Sequence, residues 1–312
     1  MNREELMSMK VAPGVLKIEG LEARKFLHAL VSSDVNELSE GNSQRSLLLT
    51  PAGKLIGAFW IYGLDEETFL LICEKVVLQQ IQENLSRFLI RTKAKIEEVS
   101  TEYTAVVGFK DQNDSNTYVI EPNYLSVGGL ILALRHETLD GTKSNDQDDL
   151  NNFRISHGAL SNSSDLVNEI IPQEGNLQNE AVSFTKGCFL GQELVCRIDS
   201  RQATTPFSIF AFETADSADD ELATYTAAKL FVNSEEVAPI TSLLKPDDQF
   251  IKRLSESQLK LGKYVAIARI PRKTVDLLSN SQNEIVVTIR SEVGTTNLKA
   301  ISWKKVEGNF SI

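Results

Sequence analysis

Lys186-Gly187-Cys188-Phe189-Leu190-Gly191-Gln192-Glu193 gathers an amine, a thiol, an amide, a carboxylate and two glycines into eight residues. A segment whose only task is to fill a core has little use for that mixture. Glycine lets a backbone turn sharply or approach a ligand closely, so the polar groups around Gly187 and Gly191 can converge on something small. If the segment is extended, Lys186 and Cys188 leave it on one face, and the ammonium would favour the reactive thiolate.

Gln192 and Glu193 follow a glycine where a helix can begin. A carboxylate there can accept from adjacent N–H groups of a flat, pterin-like ring, although a helix start also favours glutamate for its own sake. Arg197 and Arg201 follow at helical spacing and can meet an anionic tail or simply face solvent. Of the other cysteines, Cys73 lies inside the apolar run Phe69-Leu70-Leu71-Ile72 and reads as core, and Cys196 reads as structural. His28, His136 and His157 are isolated and no C-x-x-C or H-E-x-x-H occurs, so no metal ligand is assigned. A P-loop, a G-x-G-x-x-G fingerprint and a serine-hydrolase elbow are likewise missing from the sequence.

The surrounding chain is that of a globular protein: 312 residues, 42% hydrophobic, long enough for two or three domains. Its formal net charge of −11 works against a phosphate-tracking surface, so direct nucleic-acid binding is not expected. No apolar run reaches the roughly 20 residues of a membrane span, and the first residues lack a signal-peptide layout. Three cysteines without framework spacing suit a reducing compartment, and the expectation is a cytoplasmic protein with no membrane contact. The acidic loops Asp111 to Asp114 and Asp216 to Glu221 read as solubilising surface.

Hydrophobic periodicity predicts an α+β fold. Strands are expected at Val15 to Ile18, Ser46 to Thr50, Leu55 to Tyr62, Thr68 to Cys73 and Lys93 to Val99. Helices are expected at Glu22 to Leu30 and Val76 to Leu89. Thr104 to Phe109 and Leu130 to Arg135 read as strands around a polar loop, and Asp140 to Asn152 as an exposed connection. Glu193 to Arg197 reads as a short helix, and Thr205-Pro206 as a boundary. Beyond it, Phe207 to Phe212, Lys229 to Val232, Tyr264 to Ile270, Glu284 to Arg290 and Leu298 to Trp303 predict a small β-barrel or sandwich.

The opening octapeptide resembles the K-G-C-[FY]-x-G-Q-E signature of the YgfZ family of folate-binding proteins, shared by the mitochondrial Iba57 proteins. Arg154 to Gly158 and Ile171 to Leu177 resemble that family's R-x-x-x-G and I-P-Q-E-x-N-L stretches. Gly20 to Leu27 and Leu47 to Lys54 resemble its G-x-D-A-x-x-F-L and L-L-x-P-x-G-[KR] segments, and Ile240 to Ser242 and Val265 to Ala268 are similar to parts of its barrel. The likeness spans most of the chain.

The resemblance implies the fold of the glycine cleavage system aminomethyltransferase. Residues 1–204 would form a folate-binding region of two intertwined α/β subdomains around a central cavity, and residues 205–312 a C-terminal β-barrel. It implies tetrahydrofolate or a derivative as cofactor, with Glu193, Gln192, Gly187, Gly191 and Arg197 as binding residues and Cys188 and Lys186 as the operative pair. It implies a factor for iron–sulfur cluster assembly or repair, partnered by iron–sulfur client or assembly proteins and supporting tRNA-modifying enzymes indirectly, rather than an enzyme. Two departures bear on this. Aminomethyltransferases usually carry an acidic residue after the early P-x-G turn, whereas Leu55 to Trp60 holds no carboxylate, which weakens the alternative of a tetrahydrofolate-dependent aminomethyl or methyl transferase. Phe189 stands where tyrosine is commoner and removes a hydroxyl. A folate-storing scaffold in which Cys188 only packs is a third alternative.

Overall fold

The computed structural model describes residues 9–108, 117–124, 128–134, 147–214, 228–244, 264–280, 287–290, 297–307 and 309–310. It is an α+β protein of two open antiparallel sheets and one closed barrel. The five-stranded sheet runs β3-β4-β5-β2-β6, from β2 (Gly14–Glu19), β3 (Ser43–Leu49), β4 (Leu55–Gly63), β5 (Thr68–Cys73) and β6 (Lys95–Glu98). Its central strands are apolar without interruption because both faces are covered. Ala58, Trp60 and Tyr62 of β4 enter one core, while Phe59 and Ile61 enter another.

That second core is closed by two helices. α1 (Ala23–Leu30) buries Ala23, Phe26, Leu27 and Leu30, the face that the periodicity predicts. α2 (Lys75–Ser86) buries Val77, Leu78, Ile81 and Leu85. It stops three residues short of the expected Leu89, and Phe88 is exposed rather than packed.

The first core lies between the five-stranded sheet and a four-stranded sheet of order β1-β7-β9-β8, made of β1 (Met9–Val11), β7 (Tyr103–Gly108), β8 (Thr117–Tyr124) and β9 (Gly128–Leu134). The polar loop expected between β7 and β9 thus contains a strand, β8. The reading of Asp140 to Asn152 as an exposed connection needs a similar correction. Its part from Gln147 onward belongs to α3 (Gln147–Ser156), where Asp149, Leu150 and Asn152 are buried, and 140–146 lie outside the described residues.

After a short helix at Gln178–Ala181 (α4) and α5 (Gln192–Ser200), β10 (Phe207–Thr214) begins next to the Thr205-Pro206 step. Six strands close the barrel in the order β10-β13-β12-β11-β14-β15. The others are β11 (Lys229–Val232), β12 (Glu235–Leu243), β13 (Ala266–Pro271), β14 (Val287–Arg290) and β15 (Asn297–Lys305), and α6 (Arg272–Asn280) follows β13. β12 has no counterpart among the predicted strands. Ile209 and Ala211 of β10, with Val306 and Phe310, pack into the first core, which therefore crosses the Thr205-Pro206 step. The predicted loops Asp111 to Asp114 and Asp216 to Glu221, and His136, lie outside the described residues.

Candidate functional site

The octapeptide forms the approach to α5. Gly191 caps that helix in the left-handed conformation, φ +77°, which suits glycine. A β-carbon at Gly191 would run into the Thr50 carbonyl oxygen and come within 2.9 Å of Leu49 Cβ, so the glycine is also required for close approach. The surface it meets is the turn after β3. There Gly53, also at φ +77°, has room for a β-carbon only at 2.7 Å from Leu194 Cβ and 3.0 Å from the Gly191 carbonyl oxygen. Two stretches 138 residues apart in the chain, at Gly53 and Gly191, are thereby fitted against each other through glycine.

The other end of the loop is pinned by Lys186. Its Nζ donates to the carbonyl oxygens of His28 (2.5 Å), Val31 (2.8 Å) and Ser33 (2.9 Å), where α1 ends. Carbonyls left over at a helix C-terminus form a natural seat for a cation. Burial pushes the lysine down to about 8, against the pull of Asp34. Two further bonds tie the neighbouring chain to the same corner: Ser32 Oγ donates to the Ala181 carbonyl at 2.5 Å, and the Ser183 N–H donates to the Ser32 carbonyl at 2.9 Å.

Between these anchors Gly187 and Cys188 are exposed, and nothing lies within 4 Å of where a side chain at Gly187 would begin. Residues 187–189 belong to no strand; the Lys186 ammonium is taken up by the carbonyls at the end of α1, while Cys188 is exposed. Phe189 turns inward, 6% exposed, with the Lys186 ammonium 5.3 Å from its ring centre. Gln192 Oε1 accepts from the Phe189 N–H at 3.1 Å and so braces the loop. Glu193 and Arg197 pair with each other on the solvent face of α5. Cys196, one turn into α5, is partly exposed, and burial, followed by Asp199 and Cys188, pushes its thiol up. Cys73 is fully buried, as the sequence predicts.

A cavity of about 490 Å³ opens elsewhere, between α3 and β12, with Asn151, Asn152, Arg154, Ser164, Thr241 and Ser242 in its wall. No residue of the octapeptide lines it. Its floor is a buried network: Arg154 donates to Asp165 at 2.9 Å, to the Ala159 carbonyl at 3.1 Å and to Ser242 Oγ at 3.0 Å, and Asp165 accepts from Thr241 at 2.5 Å and Ser242 at 2.7 Å. Arg154 opens the R-x-x-x-G stretch, but its spacing carries no hint of a partner across the barrel. Among the described residues no group of three or more His, Cys, Asp or Glu could hold a metal ion, and no helix is long and apolar enough to cross a membrane.

No family model matches the chain. The chain is 27% identical over 237 residues to an uncharacterized protein of Haemophilus influenzae, covering 75% of this chain and 82% of that one. It is 25% identical over 206 residues to an iron-sulfur cluster assembly factor IBA57 homolog, mitochondrial, of Mycosarcoma maydis (59% and 51% covered). With the tRNA-modifying protein YgfZ of Colwellia psychrerythraea it shares 26% over 213 residues (59% and 64% covered). The matches thus span half to two thirds of the length of the two named relatives. Among solved structures, the glycine cleavage system aminomethyltransferase T of Bartonella henselae superposes with a TM-score of 0.70 at 15% identity, over 99% of this chain and 88% of that one. The fold is aminomethyltransferase-like, and the likeness to YgfZ and IBA57 proteins read from the octapeptide extends well beyond it.

Proposed function

We propose that this protein is a cytoplasmic, folate-binding accessory factor for iron–sulfur cluster assembly or repair, and that its support of tRNA-modifying enzymes is indirect. The observation that carries the reading is the placing of Cys188: an exposed thiol on a short loop whose two ends are fixed, by Lys186 on the end of α1 and by Gly191 against the β3–β4 turn. A loop built only to connect α4 with α5 has no need of that anchoring. Relatives named for iron–sulfur cluster assembly and for tRNA modification support the direction.

A reduced folate fits the residues present in its chemistry. The open space at Gly187 admits a flat ring to the backbone, and the Glu193 carboxylate is an exposed acceptor for ring N–H groups. Arg197 would meet the acidic tail on leaving its pair with Glu193, while Gln192 and Gly191 hold the loop in shape. When bound, the folate would supply a nitrogen able to carry a one-carbon group. Lys186 acts as a positioning residue, because its ammonium is engaged by three carbonyl oxygens. Cys188 is the group free to meet a client protein.

The second reading, a tetrahydrofolate-dependent aminomethyl or methyl transferase, draws on the fold. It requires a proton-handling group by the folate nitrogen. β4, the strand after the early turn, is buried throughout and carries no carboxylate; its one titratable group is the Tyr62 phenol, pushed up by burial. Anaerobic calorimetry of wild type and Cys188→Ala with tetrahydrofolate and its formyl form tests the ligand, and both proteins should bind. Cys188→Ala should fail to restore iron–sulfur enzyme activity in a strain lacking the protein. Full restoration would sink the role given to Cys188, and absence of binding to folded wild type would remove the folate.

A further inference from the structure

One corner of the five-stranded sheet carries an unusual surface. β2 pairs with β5 on one side, Glu19 opposite Thr68, and with β6 on the other, Glu19 opposite Lys95. The chain leaving β2 is held in the same way: the Gly20 N–H donates to the Glu67 carbonyl, and the Glu22 N–H to the Lys93 carbonyl. Leu21 therefore stands between two turns, each one strand spacing away, about 5 Å in the hydrogen-bonding direction.

The two turns differ in charge. The β4–β5 turn carries Asp65, Glu66 and Glu67, all exposed, and the α2–β6 connection carries exposed Arg87, Arg91 and Lys93. None of the six forms an ion pair among the described residues. Between and beside them Leu21 is 71% exposed, Ile90 79% and Phe88 43%. Leu21 lies between the two turns, and Ile90 and Phe88 are in the α2–β6 connection that carries the basic one, so exposed apolar side chains accompany the charged pair.

We propose that two copies of this chain associate through this corner about a two-fold axis passing close to Leu21. A two-fold contact joins the same patch on both subunits. It brings the acidic turn of one copy onto the basic turn of the other, twice, and covers Leu21 and Ile90 with their counterparts. An anionic membrane or a nucleic acid suits the corner less well, because Asp65, Glu66 and Glu67 and a net charge of −11 oppose it.

Sedimentation velocity over a wide concentration range tests the proposal on the full chain. Wild type should shift from monomer to dimer. Glu67→Lys and Arg91→Glu should each associate at least about tenfold more weakly, since like charges then face each other at both contacts. An equimolar mixture of the two variants should recover dimers, because every contact in the mixed pair joins opposite charges. A wild type that stays monomeric throughout, or variants that associate like wild type, would overturn the proposal. So would recruitment to vesicles rich in phosphatidylserine that Arg91→Glu abolishes while the protein stays monomeric.

Discussion

Gly53 and Gly191 lie back to back, each left-handed at φ +77°, and a β-carbon on Gly191 would sit 3.2 Å from the Gly53 α-carbon. The contact joins the turn after β3 to the start of α5 at a distance that admits no side chain. Gly191→Ala should therefore destabilise the protein by about 2 kcal/mol or more, from left-handed strain together with overpacking. Gly187→Ala, in open space, should stay within about 0.5 kcal/mol of wild type. Urea unfolding of both variants checks the contrast.

Lys186 predicts a pH dependence. Its folded value of about 8 lies below the usual 10.5 because the ammonium is partly desolvated. Between those values the unfolded chain keeps a proton that the folded chain has released, so this residue's contribution to stability rises with pH across that window and is lost as pH falls through 8. In Lys186→Met that rise should vanish. Denaturation midpoints of the two proteins near pH 7.5 and pH 9.8 should therefore draw apart in favour of wild type at the higher value.

Thiol reactivity should follow exposure. Cys188 is exposed, Cys196 is partly covered with its thiol pushed up, and Cys73 is buried with its thiol pushed far up by burial and the neighbouring Glu74. Iodoacetamide followed by peptide mass spectrometry should find Cys188 modified first, on the order of tenfold faster than Cys196, with Cys73 protected until unfolding. Equal rates at Cys188 and Cys73 in folded protein would contradict the placing of the loop.

The Arg154–Asp165 pair is almost wholly buried, with side chains 5% and 0% exposed. Removing one partner strands the other's charge. Arg154→Met should cost about 3–5 kcal/mol, as should Asp165→Leu, and the double variant should recover part of that loss. Thermal unfolding of the three variants measures it.

How far the sequence announces this structure depends on what buries each element. α1 is legible because Ala23, Phe26, Leu27 and Leu30 are apolar at helical spacing, and β4 because both of its faces are apolar. α3 hides from the same reading: Asp149, Asn152, Arg154 and Ser156 are buried polar groups, sustained by partners such as Asp165 that no local pattern reveals. β12 hides for a related reason, with Glu235, Glu236, Pro239 and Thr241 along a strand whose ladder shifts register on both sides. At the site, residue types mark the loop, yet the seat of Lys186 is made of backbone carbonyls, which any sequence at 28, 31 and 33 supplies. Whether that lysine meets the thiol or the helix end is decided by tertiary placement alone.

Phe310 ties the late part of the chain to a strand made early. Its ring lies 4.4 Å from that of Trp60, and both belong to the core between the two open sheets. The Leu160 N–H donates to the carbonyl of Asn309, which holds this late segment along the middle of the chain. As the chain emerges from the ribosome, β4 is available 250 residues before its aromatic lid. Until residue 310 is made, Trp60 lacks this ring contact, whatever else of its core has already formed. Phe310, beyond β15, thus belongs to the centre of the molecule and not to the barrel alone.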